Sequence, residues 1–162
     1  MTWIRQKLAS CGDRIACHEA GKAWSYAEFI KLIDHATTQV PSKGAAVIEV
    51  QAPTTIEGLA MILAIGETGH IALPLPPELP EAEQDKMRLI ANSSQLYNQL
   101  EGSGLVLFSS GTSGEPKGML HNLDALLGRY KNLSARKDRA LLLLRSDHIG
   151  GLDSAFRCLF SG

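Results

Sequence analysis

The sequence predicts an α/β domain with a mostly parallel sheet and flanking helices. Short apolar runs typical of strands alternate along the chain with segments in which apolar side chains recur at helical spacing. Hydrophobic residues make up 44% of the 162 residues and charged residues 20%, a composition that indicates a globular domain rather than a disordered chain. A chain of this length buries roughly two thirds of its unfolded surface, which is enough for one hydrophobic core.

The first forty residues predict a helix, a strand and a second helix. Residues 2–10 are expected to be helical, and residues 14–19 form a strand closed by a turn at 20–22. Ser25 and Glu28 have the spacing of a capping box, in which a hydroxyl and a carboxylate each bind an unpaired N–H group at a helix start. Apolar residues at helical spacing follow this box.

The middle of the chain predicts two strands separated by a buried helix. Residues 45–50 form the first strand. Thr54 and Glu57 have the spacing of a second capping box, which opens a helix through Ile65. Gly66 and Gly69 are expected to end that helix.

A short strand at residues 71–73 follows, and Pro74 is expected to end it because proline cannot donate to a sheet ladder. Residues 80–92 then form an amphipathic helix with acidic residues in its first turn, where they suit the helix dipole. Residues 105–108 form the next strand.

Towards the end of the chain, Asn122 is a good N-cap for a further helix. Residues 141–144 are four consecutive leucines, which predict a final strand buried on both faces. Residues 149–160 return to helical periodicity.

The ten residues 109–118 carry the most informative chemistry in the chain. They read Ser-Ser-Gly-Thr-Ser-Gly-Glu-Pro-Lys-Gly and so combine four hydroxyls, three glycines and one lysine directly after an apolar strand. Glycine permits positive φ, so that successive N–H groups can point into one concavity. Hydroxyl donors and a mobile ammonium group add to the affinity of such a loop for phosphate oxygens.

This segment is not a Walker A loop. In the pattern G-x-x-x-x-G-K-[ST] that starts at Gly111, Pro116 occupies the place of the second glycine and Gly118 that of the hydroxyl residue. No G-x-G-x-x-G fingerprint follows a predicted strand, which disfavours a dinucleotide-binding fold.

The segment resembles the phosphate-loop signature of the adenylate-forming superfamily, which includes acyl-CoA synthetases, peptide-synthetase adenylation domains and luciferases. The family pattern is roughly [ST]-S-G-[ST]-[TS]-G-x-P-K-G. The matching positions are Ser109, Ser110, Gly111, Thr112, Ser113, Gly114, Pro116, Lys117 and Gly118. Residues 24–29, 63–76 and 148–151 resemble further family segments, so that the likeness extends over nearly the whole chain and predicts a partial N-terminal subdomain of the adenylate-forming fold.

The resemblance implies an ATP-dependent, AMP-forming ligase that activates a small carboxylic acid as an acyl-adenylate, with ATP and Mg²⁺ as cofactors and CoA as one candidate acceptor. It implies that the β- and γ-phosphates are held by Ser109, Ser110, Gly111, Thr112, Ser113, Gly114 and Lys117. Positive charge and N–H donors at that place would stabilise the pyrophosphate as it leaves.

His148 and Gly150 are placed by the same resemblance near the acyl or acceptor pocket. Asp147 occupies a position where these ligases usually have an aromatic residue, so that the acid is not specified. A single histidine is also common as a purely structural residue, and this alternative stays open.

Residues 1–162 are expected to be the incomplete N-terminal part of an AMP-binding domain, with the C-terminal domain absent. The family's adenine and ribose motifs, its hinge and its catalytic lysine have no counterpart, so that no catalytic residue is assigned and the chain alone is expected to be inactive. The missing downstream part of the same enzyme would be its partner. An exposed apolar patch is expected near residues 141–160.

Other classes of function find no support in the composition. A net charge of −1 does not indicate a nucleic-acid partner, and no apolar run approaches the ~20 residues of a membrane span. The five histidines and three cysteines have no spacing typical of metal ligands, and the cysteines are expected to be reduced thiols in the cytoplasm. Two alternatives remain, namely a stand-alone, non-catalytic module that binds nucleotide or phosphate and a structural remnant without a ligand.

Overall fold

The computed structural model describes residues 2–42, 46–93, 102–110, 116–135 and 140–162, and all structural statements refer to these parts of the chain. They contain six helices and six strands in mixed order. The elements are α1 (Thr2–Ala9), β1 (Ile15–Glu19), β2 (Lys22–Ser25), α2 (Tyr26–Gln39), β3 (Val47–Gln51), α3 (Ile56–Glu67), β4 (Ile71–Leu75), α4 (Glu81–Ala91), β5 (Gly104–Ser110), β6 (Pro116–Asn122), α5 (Leu123–Gly128) and α6 (Ile149–Ser161).

The main sheet has four strands in the order β3-β4-β5-β6. The first three are parallel, and β6 returns antiparallel to β5 as the second arm of a hairpin. Strands β1 and β2 form a separate antiparallel hairpin. The prediction of an α/β fold with a mostly parallel sheet and flanking helices is therefore confirmed.

The main sheet has a hydrophobic cluster on each face. Leu105 and Leu107 of β5 belong to the larger cluster, together with residues of α1, α2, α3, α5 and α6. Val106 and Phe108 point to the other face, where residues of β4 and α4 cover them. Strand β5 is thus buried on both sides, as its continuous apolar sequence indicates.

Helix α2 begins with the capping box that the sequence predicts. Glu28 N donates to Ser25 Oγ at 3.2 Å, and Ser25 N donates to Glu28 Oε2 at 2.8 Å. The hydrogen bonds from Ser25 hold the pKa of the Glu28 carboxyl below its usual value.

The second predicted capping box is wrong by one residue. The N-cap of α3 is Thr55, whose side chain accepts a hydrogen bond from Gly58 N, so that Glu57 is not at the position from which it could complete a box with Thr54. Thr55 N donates to the carbonyl of Ala52 at 3.0 Å, and this turn shifts the helix start by one residue.

Two predicted ends of elements are also wrong. Helix α3 continues through Gly66 to Glu67 and ends before Gly69, whose φ of +79° is the left-handed conformation that commonly follows a helix. Strand β4 continues through Pro74 to Leu75. Its pairing with β5 covers only Ile71 and Ala72, so that at Pro74 the described strand has β3 as its single neighbour and tolerates a missing donor.

Residues 141–144 do not form the predicted strand. Leu141 is 81% exposed, Leu142 37%, Leu143 80% and Leu144 57%. Four consecutive leucines predict burial only if other chain segments cover them, and no described element does so.

Helix α6, in contrast, is well packed. The exposed part of the expected apolar patch is therefore limited to residues 141–149. Leu152, Phe156, Leu159 and Phe160 are all buried, and the Tyr26 hydroxyl donates to the carbonyl of Leu159 at 2.9 Å. For the buried part of α6 the expected exposed patch is therefore wrong, because α1 and α2 at the start of the chain cover this helix.

The cap of α3 gives a direct test of the helix start. Thr55→Ala should lower the free energy of unfolding by about 1 kcal/mol, because Gly58 N loses its acceptor. Thr54→Ala, at an exposed neighbouring position, should change it by less than about 0.5 kcal/mol. Denaturant unfolding of both variants measures the difference, and an equal or reversed effect would contradict this helix start.

Candidate functional site

The predicted phosphate loop connects strands β5 and β6, whose paired ends are described. The pairing of the two strands includes Ser109 with Lys117 and ends with Ser110 opposite Pro116. Gly111, Thr112, Ser113 and Gly114 lie outside the described residues. Ser110 and Pro116, the paired ends of the two strands, are the described residues that flank this loop.

The paired ends of β5 and β6 are at the carboxyl edge of the main sheet. Because β3, β4 and β5 are parallel, their carboxyl ends, at Gln51, Leu75 and Ser110, meet at one edge. In open α/β sheets, ligands bind in the crevice outside this edge. The strand ends at Ser110 and Pro116 therefore lie at an edge of the sheet where ligands commonly bind.

Ser109 and Lys117 lie side by side on one face of the hairpin. Side chains alternate along a strand, so that Ser109 shares its face with the buried Leu105 and Leu107. Ser109 is half-buried and Lys117 is exposed. No described carboxylate pairs with Lys117.

Gly118 has a packing role beside this lysine. An ideal Cβ at Gly118 would stand 2.9 Å from Ile90 Cγ2 and 3.2 Å from Phe108 Cε1. The glycine therefore lets β6 pack closely against α4 and the ring of Phe108. In this part of the signature the glycine is explained by packing and not by phosphate contact.

A second segment reaches the same edge of the sheet. Arg145 Nη2 lies 3.9 Å from Glu78 Oε2, and Glu78 belongs to the segment that leaves the carboxyl end of β4. Arg145 also donates to both carboxylate oxygens of Asp147, at 2.9 and 3.1 Å. These hydrogen bonds to Asp147 raise the pKa of the Arg145 guanidinium group, and its contact with Glu78 brings the turn before α6 near the segment that follows β4.

His148 is the most exposed partner of Asp147 in this group of charged residues. Its Nε2 lies 3.6 Å from Asp147 Oδ2, and the imidazole is 61% exposed whereas the carboxylate is 9% exposed. His148 and Asp147 form an ion pair only when the imidazole ring is protonated. His148 therefore lies beside Asp147 with most of its side chain exposed.

The N-terminus of α6 is uncapped. His148 is the N-cap residue and makes no side-chain capping bond, and the first turn has no acidic residue. Gly150 lies in this turn and is exposed. Free N–H groups and the helix dipole make such an end favourable for an anion. Nearby, Ser146 is fully buried, and its Oγ has no hydrogen-bond partner in the described chain.

Gly151 is required for this geometry. An ideal Cβ on Gly151 would stand only 1.9 Å from the carbonyl oxygen of Arg145. Without a side chain, the helix can fold back directly onto the turn that holds Arg145, Asp147 and His148. The sequence analysis did not find Arg145, for which the pattern offers no signal beyond its place before Asp147.

His121 is a titratable group that the sequence analysis also passed over. It lies on β6 opposite Leu105, and its buried Nε2 has no hydrogen-bond partner among the described residues. Burial and the nearby Arg129 lower its pKa, so that the ring is neutral near pH 7. It is four residues from Lys117, roughly 13 Å along the strand, and does not belong to the loop.

Two further properties of the described residues bear on the site. They contain no cluster of three or more histidine, cysteine or acidic side chains arranged for a metal ion. No described helix combines the length and apolar character needed to cross a membrane.

Comparisons with other proteins give a consistent group of relatives, although no protein-family model matches the chain. The chain is 22% identical to the probable non-canonical nonribosomal peptide synthetase CymA of Salinispora arenicola and 24% identical to the dapdiamide synthesis protein DdaD of Enterobacter agglomerans. It is 29% identical to the 2-succinylbenzoate–CoA ligase of Bacillus pumilus. The matches cover 82%, 72% and 62% of this chain but only 2%, 24% and 21% of those proteins.

Solved structures agree over nearly the full length of this chain. It superposes on the N-terminal subdomain of Klebsiella oxytoca NpsA, in complex with 3-hydroxyanthranilyl-AMSN, with a TM-score of 0.75 at 19% identity. For o-succinylbenzoate CoA synthetase MenE of Bacillus subtilis, in complex with AMP, the TM-score is 0.71 at 17% identity. The chain has the fold of the N-terminal part of the adenylate-forming ligases.

This adenylate-forming fold confirms the fold that the loop signature implied. The superpositions cover 99% and 98% of this chain, and 51% and 53% of the NpsA and MenE chains. The chain therefore spans about half the length of the solved structures it matches. The ligand contacts of Ser109, Ser110 and Lys117, and of His148 and Gly150, stay predictions.

The turn before α6 yields a matched pair of variants. Gly151→Ala should destabilise the protein by about 1–3 kcal/mol, because its methyl group would overlap the carbonyl of Arg145. Gly150→Ala should be nearly neutral, since its Cβ would meet only Leu144 Cδ1, at 3.8 Å. Thermal unfolding followed by circular dichroism distinguishes the two, and equal melting temperatures would show that the close approach is absent.

Proposed function

We propose that this chain is the phosphate-binding part of an ATP-dependent, AMP-forming ligase that activates a carboxylic acid as an acyl-adenylate. One observation carries the proposal. A hydroxyl- and glycine-rich segment joins the two arms of the β5–β6 hairpin, which ends at the carboxyl edge of an adenylate-forming fold, and its Lys117 has no carboxylate partner among the described residues. Both the residue types and their position suit the phosphates of ATP.

The residues of this chain would bind and neutralise the triphosphate. Ser109, Ser110 and Lys117 flank the loop, and residues 111–114 supply hydroxyl and N–H donors between them. The donor set fits phosphate oxygens, because the segment combines four hydroxyls and one lysine, against the single carboxylate of Glu115. Magnesium would be held mainly through the phosphates, as is usual for this ion. One related structure is described as a complex of MenE with ATP and a magnesium ion.

The acid substrate would lie at the uncapped N-terminus of α6. A carboxylate there meets the free N–H groups of the first turn, near Gly150, and the imidazole of His148. In the reaction a carboxylate oxygen forms a bond to the α-phosphorus of ATP. The bond from that phosphorus to the bridging oxygen breaks, and the electron pair leaves with pyrophosphate. Lys117 and the loop donors would stabilise the charge that develops on the leaving group.

The rest of the active site would come from polypeptide beyond the matched half of the fold. We propose that residues 1–162 supply the N-terminal portion of an AMP-binding domain, and that adenine, ribose and acceptor contacts lie in the other portion. CoA is the proposed acceptor, and the cytoplasm is the proposed location. The coverage of about half of each solved chain supports this division.

A stand-alone nucleotide-binding module is the second candidate. The observation in its favour is that α6, the last helix, is packed into the chain's own core, so that the described elements can fold together. Carboxylate-dependent exchange between ATP and labelled pyrophosphate separates the two functions. A ligase supplies this activity when the two portions are combined, whereas a binding module shows none under any condition.

Binding of MgATP or pyrophosphate to the purified chain tests the site itself. Lys117→Ala should weaken binding by about 1.5–3 kcal/mol, the contribution of a charge-assisted hydrogen bond, or roughly 10- to 150-fold in Kd. Lys31→Ala, at an exposed lysine of α2, is the matched control and should bind as the parent does. Isothermal titration calorimetry at two salt concentrations measures both, and binding of the parent should weaken at the higher salt. Equal affinity of the parent and Lys117→Ala would refute the loop assignment.

A further inference from the structure

A surface cavity of about 390 Å³ lies between the second half of α6 and the segment that follows α5. Its volume is at the lower end of the roughly 300–1,000 Å³ of ligand-binding cavities, so that it suits a small molecule. Arg157, which lines it, is roughly 13 Å along the helix axis from His148 at the start of α6. The cavity is therefore separate from the candidate site described above. Its described lining residues are Asn132, Leu133, Ser134, Arg157 and Ser161.

The wall of the cavity at residues 131–134 is held by side chains from distant parts of the chain. Lys7 Nζ, on α1, donates to the carbonyls of Lys131 and Leu133, at 3.2 and 2.8 Å. The hydroxyl of Tyr130, just before this wall, donates to Asp153 Oδ1 on α6. Both α1 and α6 thus fix the segment, and the cavity is formed without a ligand.

The charges around the cavity favour an anion. Asp153 accepts hydrogen bonds from the Tyr130 hydroxyl and from Arg129 Nη1, the latter at 2.9 Å. Arg157 Nε lies at the longer distance of 3.9 Å from the other oxygen of Asp153. One carboxylate is therefore shared by two guanidinium groups, and Lys7 adds a third cation beside the wall. The described lining itself contains no aspartate or glutamate.

The lining also offers the donors that a phosphate group requires. The side chain of Arg157 is 58% exposed, and a guanidinium group can make two parallel hydrogen bonds to phosphate oxygens. The Ser134 hydroxyl and the Asn132 amide are neutral donors on the opposite wall. A phosphate monoester presents three acceptor oxygens where a carboxylate presents two, so that this donor set fits a phosphate better. Leu133, which is half-buried, adds an apolar surface.

We propose that this cavity is a second binding site of the protein and that its ligand is a small phosphate monoester. The phosphate group lies on the guanidinium group of Arg157, and Ser134 and Asn132 donate to its remaining oxygens. The organic part of the ligand rests against Leu133. The site is independent of residues 109–118 and of the function proposed above.

Phenyl phosphate is a suitable probe, because it joins a phosphate monoester to a small apolar ring. Titrated into the ¹⁵N-labelled chain, it should shift the NMR signals of the Ser134 amide and of the Arg157 Nε–H group. A Kd of roughly 1 mM or lower is expected for a ligand of this size. Phenol has the same ring without the phosphate and should shift neither signal.

Four variants show which side chains bind the probe. Arg157→Gln should weaken binding at the cavity roughly 10-fold or more, because charge-assisted hydrogen bonds are lost. Ser134→Ala, at an exposed position outside the helices, should weaken it by about 2- to 10-fold, and it provides a second test should Arg157→Gln fail to fold. Lys31→Gln removes one positive charge from an exposed position of α2 and should bind as the parent does. Lys117→Ala should also do so, which separates this cavity from the proposed phosphate loop.

Four results would overturn the proposal. Shifts confined to the β5–β6 hairpin would mean that phosphate binds only there. Equal shifts with phenol would show that the ring alone is bound. Equal affinity of the parent, Ser134→Ala and a folded Arg157→Gln would remove the proposed donors from the site. Finally, shifts at Ser134 and Arg157 that do not saturate by roughly 10 mM, ten times the expected Kd, would show that no specific site exists.

Discussion

Strand β5 is buried on both faces and lies between a parallel neighbour, β4, and an antiparallel one, β6. Its side chains alternate between the two hydrophobic clusters, with Leu105 and Leu107 on one face and Val106 and Phe108 on the other. Both hydrophobic layers therefore pack against this one strand. Its amino end pairs with β4 at Gly104 and Leu105, and its carboxyl end pairs with β6 up to Ser110, which leads directly into the predicted phosphate loop.

Two glycines allow close packing beside the two parts of the candidate site, the β5–β6 hairpin and the turn before α6. Gly151 lets α6 begin within contact of the Arg145 carbonyl, and Gly118 lets β6 lie against Ile90 of α4. Both glycines lie beside the residues proposed to bind ligand, and both are required by space and not by backbone conformation. The ion pair of Arg145 with Asp147 then orients the turn from which His148 projects.

The β5–β6 hairpin and the N-terminus of α6 offer positive charge of different strength. Lys117 is exposed without a described carboxylate partner, whereas Arg145 is already neutralised by Asp147. A polyanion such as a triphosphate is therefore expected at the hairpin tip. The uncapped N-terminus of α6 offers a weaker, partial positive charge, which suits a single carboxylate. A nucleotide and an acid bound at these two places would share the carboxyl edge of one sheet.

The sequence alone determined the local features of this protein. The capping box at Ser25, the turn at 20–22 and the apolar run of β5 depend on neighbouring residues, and so does the resemblance of residues 109–118 to a phosphate loop. Tertiary structure decided what depends on distant segments. It set the start of α3 at Thr55, extended β4 through Pro74 and covered α6 with α1 and α2. It also left Leu141–Leu144 exposed, because a strand is buried only where another part of a fold lies against it, and sequence pattern records the preference for burial without supplying the neighbour.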